Sequence, residues 1–393
     1  MYCILQWLPD WFVAVSHEIQ RAGLTGFDAL LPFTVIVPAL VLSITVHEFG
    51  HWVAGHFMGY YCLIYSVLWL RVERHGSKWR ARLARTRNNA WGFVVSVPSR
   101  FHRFRLRHSI FLSAGPLLNL LTGGVALLVS EKMKLIYLLS QGVSLPVFML
   151  GLLLGSFGCI SVCLGVMNLL PLTLTTDGAK ILQLLLRTPA AARSYALLRI
   201  HDATYQGQRP RDWNPAWLPK LLGSTTNTEA DCLAHLYAYS YYFDVHDLTQ
   251  GRFHLNAALD CKHIASAPVQ QLLFCQAAYV AGVHNAVAAD AQHWLTRAEQ
   301  IQPLPPEDSY FVRAAVAFSL HHDEQALHLL ALAEAKAALM TEAGSREYTQ
   351  DCIADIRRRI AERHTASAAE PAYPAVSQSA SPEAEPHLTA HSR

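Results

Sequence analysis

The sequence predicts an α-helical membrane protein: a three-helix transmembrane core with a short membrane-associated β-strand pair, followed by a soluble all-α helical-repeat domain. Of the 393 residues, 52% are hydrophobic and only 16% are charged, which is a lopsided balance for a soluble protein. Nearly all the long apolar runs lie before about residue 186, and the remainder is polar, alanine-rich and helical in its periodicity. We therefore expect a membrane domain followed by a soluble one.

Changes in composition set the expected boundaries. We expect an interfacial segment at 1–28, a membrane domain at 29–186, a connector at 187–228, a helical domain at 229–365 and a disordered tail at 366–393. The first segment is apolar but lacks a basic start and a small-residue cleavage site, so it is not predicted to be a signal peptide. The eight cysteines are scattered, with no C-x-x-C pair, and we expect them to be reduced packing residues.

The first membrane span is predicted from Ala29 to about Met58, a length that crosses a bilayer with tilt. Near its end the span contains His47, Glu48 and His51. On a helix, the two histidines lie one turn apart on one face and can bind one metal ion, with Glu48 beside the open coordination position. Zinc lowers the pKa of a bound water, and a neighbouring carboxylate can accept the proton as that water attacks a carbonyl.

The segment after the first span is basic and contains two aromatic, β-branched runs, Tyr60 to Leu70 and Trp91 to Pro98, which predict paired strands at the membrane surface. From Arg71 to Arg107 there are eleven basic residues and one acid, Glu73. By the positive-inside rule this segment is cytoplasmic. Attraction to anionic lipid headgroups explains its charge better than nucleic-acid binding, so no nucleic-acid partner is predicted.

Two further spans are predicted, from Ser109 to Ser130 and from about Val143 to Leu170. Asn119 lies in the second span, where it either joins two helices by a hydrogen bond or contributes near a substrate. The third span ends with Asn168 and is followed by Asp177. If the basic loop is inside, both histidines and Asp177 fall on the cytoplasmic side, so an acidic third ligand is available.

The soluble part begins with a predicted amphipathic helix at 180–198. A connector rich in Pro, Gly and Trp follows and is expected to be extended. It either joins the two domains or lies across the entrance of the site. From residue 229 three similar blocks begin at Tyr237, Ala277 and Ala314, spaced by 40 and 37 residues. This pattern favours tetratricopeptide-like helical repeats over a plain helical bundle, which gives much the same composition.

Three groups of residues together resemble the site-2 protease family of intramembrane zinc metalloproteases. They are His47-Glu48-Phe49-Gly50-His51 in one membrane helix, Gly115-Pro116 with Asn119 in the next, and Asn168-Leu169-Leu170-Pro171 leading to Asp177-Gly178. The resemblance covers about residues 30 to 186. It implies one zinc ion per chain held by His47, His51 and Asp177, Glu48 as general base, and Asn168 as a substrate-positioning or oxyanion-stabilising group. The spacing from Asn168 to Asp177 is nine residues, one longer than is common in the family.

The expected function is therefore zinc-dependent hydrolysis of a peptide bond in a membrane-anchored protein or peptide near the cytoplasmic face of the cell (inner) membrane. The helical domain would be cytoplasmic and would bind a regulatory protein partner. The alternative is a catalytically inactive membrane adaptor that binds partners through the helical domain. An intact Glu48 favours the enzyme, since a scaffold does not require a base beside two metal ligands.

Overall fold

The computed structural model describes residues 31–75, 78–83, 91–140, 145–225, 227–340 and 343–369. The predicted interfacial segment, and the predicted tail beyond residue 369, lie outside these residues. The described chain is mostly helical, with one small antiparallel sheet and three helices long and apolar enough to cross a membrane. The prediction of a helical membrane protein is confirmed at this level.

The three long helices are α1 (Leu31–Met58), α2 (Phe104–Ser140) and α3 (Leu145–Leu169), and the candidate spans within them are Thr34–Met58, Phe104–Lys134 and Met149–Leu169. Large apolar side chains remain exposed on their outer faces, including Leu121 and Leu128 at 65% and 70% exposure. Such exposure is expected where lipid, rather than water, surrounds a helix.

Small residues allow α2 and α3 to approach closely. A Cβ placed on Gly123 would lie 3.0 Å from the carbonyl oxygen of Gly158, and a Cβ on Gly158 would lie 2.9 Å from that of Gly123. The hydroxyl of Ser161 on α3 donates to the hydroxyl of Ser43 on α1 across 2.8 Å, which satisfies two buried polar groups away from water. The bundle therefore uses the close packing and interhelical hydrogen bonds typical of membrane helices.

In the part of the chain that the structure describes, the sheet contains four strands rather than the predicted two. Its strands are β1 (Tyr60–Val67), β2 (Leu70–His75), β3 (Lys78–Leu83) and β4 (Gly92–Pro98), in the order β3-β2-β1-β4. The predicted pairing of the two apolar runs is present as the antiparallel β1–β4 ladder. Strands β2 and β3 lie in the basic segment, and β3, which forms one edge of the sheet, is exposed throughout.

The predicted amphipathic helix is two helices, α4 (Asp177–Leu186) and α5 (Pro189–Tyr205). They are separated by Arg187, whose left-handed backbone (φ 56°) ends α4, and by Thr188, whose hydroxyl accepts a hydrogen bond from the backbone N–H of Ala191 and caps α5. A proline at the first helical position suits the start of α5. The helix direction therefore changes at residues 187–188.

The connector is more helical than expected. It includes the end of α5, a 3₁₀ turn at Pro210–Asp212 and the short helix α6 (Trp217–Leu222). Trp213 and Trp217 are buried against α5 in an apolar cluster, so the aromatic residues that suggested an irregular segment instead fix a folded one. Within the described residues, this segment packs on the helical domain and on α5.

Over residues 227–340 and 343–369, the helical domain contains three consecutive helix pairs and a closing helix. The pairs are α7 (Glu229–Asp244) with α8 (Leu248–Asp260), α9 (Ala267–Tyr279) with α10 (Ala288–Ile301), and α11 (Pro306–Ser319) with α12 (Asp323–Ala337), and α13 (Ala343–Ala369) packs against α12. The three similar sequence blocks fall at the end of the first helix of each pair. A tetratricopeptide-like relationship among the pairs stays a prediction.

Candidate metal centre

Three side chains from two distant parts of the chain converge on one point. Nε2 of His47 and Nε2 of His51 are 3.2 Å apart, and each lies 3.3 Å from Oδ2 of Asp177. All three residues are less than a tenth exposed. The predicted ligand set is thus brought together in one buried group that can hold a metal ion.

The ring of His51 is fixed from outside the group. Its Nδ1 lies 2.8 Å from the carbonyl oxygen of Phe111 on α2, and a carbonyl accepts only, so Nδ1 carries the proton. In the neutral ring, Nε2 then presents its lone pair toward the carboxylate of Asp177. That contact is favourable only when a cation or a second proton lies between them.

Asn119 of α2 contacts the other histidine. Its side-chain amide nitrogen is placed 3.3 Å from Nδ1 of His47, while its amide oxygen is buried without a hydrogen-bond partner. The oxygen and nitrogen of the Asn119 amide have nearly the same size, and the amide can be turned by 180° so that they exchange places. Nδ1–H of His47 then donates to the amide oxygen. Such a bond fixes the tautomer in which Nε2 of His47 is free to bind a metal.

Asp177 is positioned by the start of α4. The hydroxyl of Thr176 accepts from the backbone N–H of Ala179 and lies 3.0 Å from the carbonyl oxygens of Leu170 and Thr173, so it caps α4 and closes the preceding loop. Gly178 touches the end of α3, since a Cβ there would clash with the carbonyl oxygen of Leu169. The nine-residue spacing is thus accommodated by a compact loop between α3 and α4.

The charge of Asp177 is stabilised on both of its oxygens. Burial raises the pKa of this carboxyl, but contacts with His47 and His51 outweigh burial and hold the pKa below its usual range. Nζ of Lys180, one turn further along α4, lies 3.7 Å from Oδ1. The carboxylate is therefore ionised, which is the form that binds a metal.

Glu48 lies on the sheet side of the group and is 8% exposed. One of its carboxylate oxygens is 2.9 Å from the point where a Cβ would sit on Gly92, the first residue of β4. Burial, as the main cause, and the nearby charge of Glu48, as the second, raise the pKa of Tyr65 on β1 to about 12. The hydroxyl of Tyr65 donates a hydrogen bond to the carbonyl oxygen of Thr45 at 3.0 Å. Glu48 therefore lies between the donor group and the β1–β4 ladder.

The distances within the group match those of a bound ion. Nitrogen and oxygen ligands lie about 2.0–2.2 Å from zinc, and two such ligands at a tetrahedral angle are separated by about 3.3–3.5 Å. The three separations of 3.2, 3.3 and 3.3 Å agree with this triangle. Three protein ligands also leave one coordination position for water or substrate, as in catalytic rather than structural sites.

The predicted Asn168 is placed differently from the other site residues. Its side-chain nitrogen donates to the carbonyl oxygen of Leu164 on its own helix, at 3.2 Å, and the side chain is half-buried. Its backbone carbonyl lies beside Gly178. In this structure Asn168 contributes to the junction of α3 and α4, whereas Asn119, whose role the sequence left open, contacts His47 of the donor group.

Three other contributors to the site had no recognised role in the sequence, and a fourth, Gly115, was recognised only as part of the Gly115-Pro116 motif. The carbonyl of Phe111 orients His51, Lys180 contacts Asp177, and Gly92 lies against Glu48. Gly115 is required because a Cβ there would be 2.5 Å from Nε2 of His51. A backbone carbonyl has no sequence signature, but the placement of Lys180 one turn after Asp177 was available as a helical-spacing signal.

No protein-family model, curated protein or solved structure matches this chain. What the site can do is therefore inferred from its own atoms. The resemblance to the site-2 protease family stays a prediction.

Proposed function

We propose that the protein is an intramembrane zinc endopeptidase. The observation that carries the proposal is the triangle of Nε2 of His47, Nε2 of His51 and Oδ2 of Asp177. Both histidines and the adjacent Glu48 belong to a helix long enough to span a membrane, and Asp177 approaches them from α4. Zinc bound there would polarise a substrate carbonyl and lower the pKa of water at the open position. Asp177 and the two imidazoles together supply one negative charge, which leaves a net positive, electrophilic site.

Glu48 serves as the general base in this proposal. Its carboxylate accepts a proton from the attacking water and then delivers it to the leaving amide nitrogen, so one group acts as base and then as acid. The side chain is buried between α1 and the start of β4, which excludes bulk water and strengthens its interaction with the charges nearby. Asn119 and the Phe111 carbonyl hold both imidazoles in the tautomer that binds metal.

The substrate is proposed to be a membrane-anchored protein or peptide. Its peptide bonds are internally hydrogen-bonded while helical, so a segment must unwind before water can attack. Strand β4 begins beside Glu48 and, within the described chain, pairs with β1 alone, so its second edge offers backbone hydrogen bonds to an extended peptide. Cysteine cross-linking from Val94 or Val95 to a substrate tests this placement, and the absence of any cross-link counts against it.

Cleavage near the cytoplasmic face of the cell (inner) membrane, with a cytoplasmic helical domain that binds a protein partner, completes the proposal. The inactive adaptor is the alternative. The buried, oriented donor group favours the enzyme, because an adaptor gains nothing from two tautomer-fixed imidazoles in a membrane span with an ionised carboxylate beside them.

The decisive experiment compares wild type with Glu48→Gln in reconstituted bilayers containing a membrane-anchored candidate substrate. Glutamine preserves the shape but cannot accept the proton, so cleavage should fall by a factor of about 10² to 10⁴ while bound zinc remains near one per chain. Glu131→Gln, an exposed carboxylate on α2, is the matched control and should cleave normally. Undiminished cleavage by Glu48→Gln would refute the proposed chemistry.

A further inference from the structure

A second feature lies at the end of the membrane domain and plays no part in the proposed hydrolysis. An open cleft of about 730 Å³ is formed where α2, α4, α5 and α6 meet. We call it the basic cleft, and the residues that define it are Arg103, Phe104, Arg105, Arg187, Tyr195 and Lys220.

The rim of the basic cleft is positively charged. Arg103, Arg105, Arg187 and Lys220 are exposed, and no acidic residue is found among the described residues that line the cleft. Among the described residues none of these four cations forms an ion pair, although Lys220 lies 5.7 Å from the ring of Tyr195. Four unneutralised cations around one depression favour an anionic ligand.

Two helices also begin at the basic cleft. The first turn of α2, from Phe104, and the first turn of α5, which is capped by Thr188, both line it. The N-terminus of a helix carries partial positive charge and presents unpaired N–H groups, so both helices add to the attraction for an anion. The two helix N-termini and the four cationic side chains thus both favour a negatively charged ligand.

The floor of the basic cleft is apolar. Phe104, Leu184 and Ala191 are buried there at 7%, 4% and 8% exposure. Beside the cleft, a smaller depression shares Arg103 and Leu106 with it and continues along α2 to Ile110, past the exposed Phe57 at the end of α1. A charged rim that continues into an apolar surface beside the membrane spans suits an amphiphile better than a soluble anion.

Two arginines of the rim have backbones that arginine rarely adopts. Arg103 has φ of 51° and Arg187 has φ of 56°, a region that glycine and asparagine enter more easily. Both positions line the basic cleft, so the retention of a long cationic side chain at each of them is consistent with a function for the two guanidinium groups.

We propose that the basic cleft binds one anionic phospholipid of the surrounding leaflet. The phosphate lies among Arg103, Arg187 and Lys220, and an acyl chain follows Leu106 and Ile110 along α2. The bound lipid thereby joins α2 to α4 and α5, which fixes the depth of these helices in the membrane. This proposal does not depend on the hydrolytic function.

The left-handed backbones permit a well-matched test. The double variant Arg103→Gly/Arg187→Gly removes two charges at positions that glycine adopts without strain. Delipidated full-length protein in neutral detergent is titrated with phosphatidylglycerol or phosphatidylcholine, and bound lipid is counted by native mass spectrometry. We expect wild type to bind one phosphatidylglycerol at least tenfold more tightly than phosphatidylcholine, and the double variant to lose about tenfold of that affinity.

The control is Lys78→Gln/Arg80→Gln, which removes two exposed charges from β3, away from the cleft, and should bind phosphatidylglycerol like wild type. Equal affinity for both lipids, or equal losses in the two double variants, would show that only diffuse charge attracts lipid and would overturn the proposal. Displacement of the lipid by millimolar inorganic phosphate would overturn it in favour of a soluble phosphate site. Circular dichroism of each variant verifies that its helices are intact.

Discussion

The side-chain amide of Asn119 lies 3.3 Å from Nδ1 of His47, although the two residues are 72 positions apart in the chain. Asn119 is fully buried in α2, and His47 faces it from α1. A polar contact between two membrane helices therefore also determines which nitrogen of His47 is available to a metal.

The first prediction concerns this contact. Asn119→Ala removes the acceptor for Nδ1–H of His47, and we expect zinc affinity to fall by about 10- to 100-fold, the usual cost of losing a partner behind a metal-binding histidine. Competition with a calibrated chelator measures the affinity of the purified protein. Asn168→Ala is the control, because Asn168 bonds to its own helix, and it should leave zinc affinity within about twofold. Equal losses in both variants would contradict the assignment of Asn119.

The second prediction concerns packing around the ligands. Gly115→Ala places a methyl group 2.5 Å from Nε2 of His51, so α1 and α2 must separate or the imidazole must turn away. We expect bound zinc to drop well below one per chain, as measured by elemental analysis. Gly124→Ala on the same helix meets nothing within 4 Å and should retain the metal. Full zinc occupancy in Gly115→Ala would show that the helices tolerate the displacement.

The third prediction concerns a buried ion pair in the soluble part. Arg209 contacts both carboxylate oxygens of Asp244, with N–O distances of 3.1 and 2.6 Å, and both residues are 5% exposed. Arg209→Ala leaves the Asp244 charge buried without its partner, which costs about 3–5 kcal/mol. Hydrogen exchange of α7 should accelerate by a factor of 100 or more. Arg313→Ala breaks only an exposed pair with Glu299 and should cost about 1 kcal/mol or less.

The fourth prediction concerns pH. Burial, reinforced by the neighbouring His235, lowers the pKa of His254 on α8 to about 4, whereas an unfolded histidine titrates near 6.5. The unfolded chain therefore binds more protons between these values, so stability is fully present above about pH 6.5 and decreases as pH falls toward 4. Denaturant unfolding of the helical domain across this range measures the slope.

His254→Gln should reduce the dependence of the free energy of unfolding on pH, by an amount that corresponds to at most one proton taken up on unfolding. This expectation holds whatever the substitution does to stability at neutral pH. His328→Gln, at an exposed position on α12, serves as the control and should keep the wild-type slope. A slope that is identical in His254→Gln and wild type would assign the pH response to other groups.

Local periodicity was sufficient to predict part of the site. His47 and His51 are one helical turn apart, so their shared face follows from the sequence, and the predicted membrane topology put Asp177 on the same side of the membrane as the histidines. The role of Asn119 depended on which residues of α1 and α2 face each other across their interface. That register is set by side-chain shape, including the close approach at Gly115, and not by any pattern within either helix.

The sheet shows a similar limit. Tyr60 to Leu70 and Trp91 to Pro98 are apolar enough to predict strands, and their pairing was correctly anticipated. Strand β3 was not predicted because Lys78, Arg80 and Arg82 make its sequence resemble a polar loop. Its extended conformation is stabilised by backbone pairing with β2, which its composition does not indicate. The break between α4 and α5 depends on the left-handed backbone of Arg187. Arginine rarely adopts this conformation, so the break could not be predicted from the sequence.

The junction between α4 and α5 also has a mechanical consequence. Asp177 begins α4, α5 follows after a two-residue turn, and Arg193 of α5 forms a buried ion pair with Asp231 of α7. Asp177, one of the three candidate ligands, therefore belongs to the same continuous unit as the helical domain, whereas His47 and His51 belong to the first membrane helix. If the helical domain rotates relative to α1, the distance between Asp177 and the two histidines changes. The geometry of the candidate metal centre therefore depends on the position of the helical domain relative to the first membrane helix.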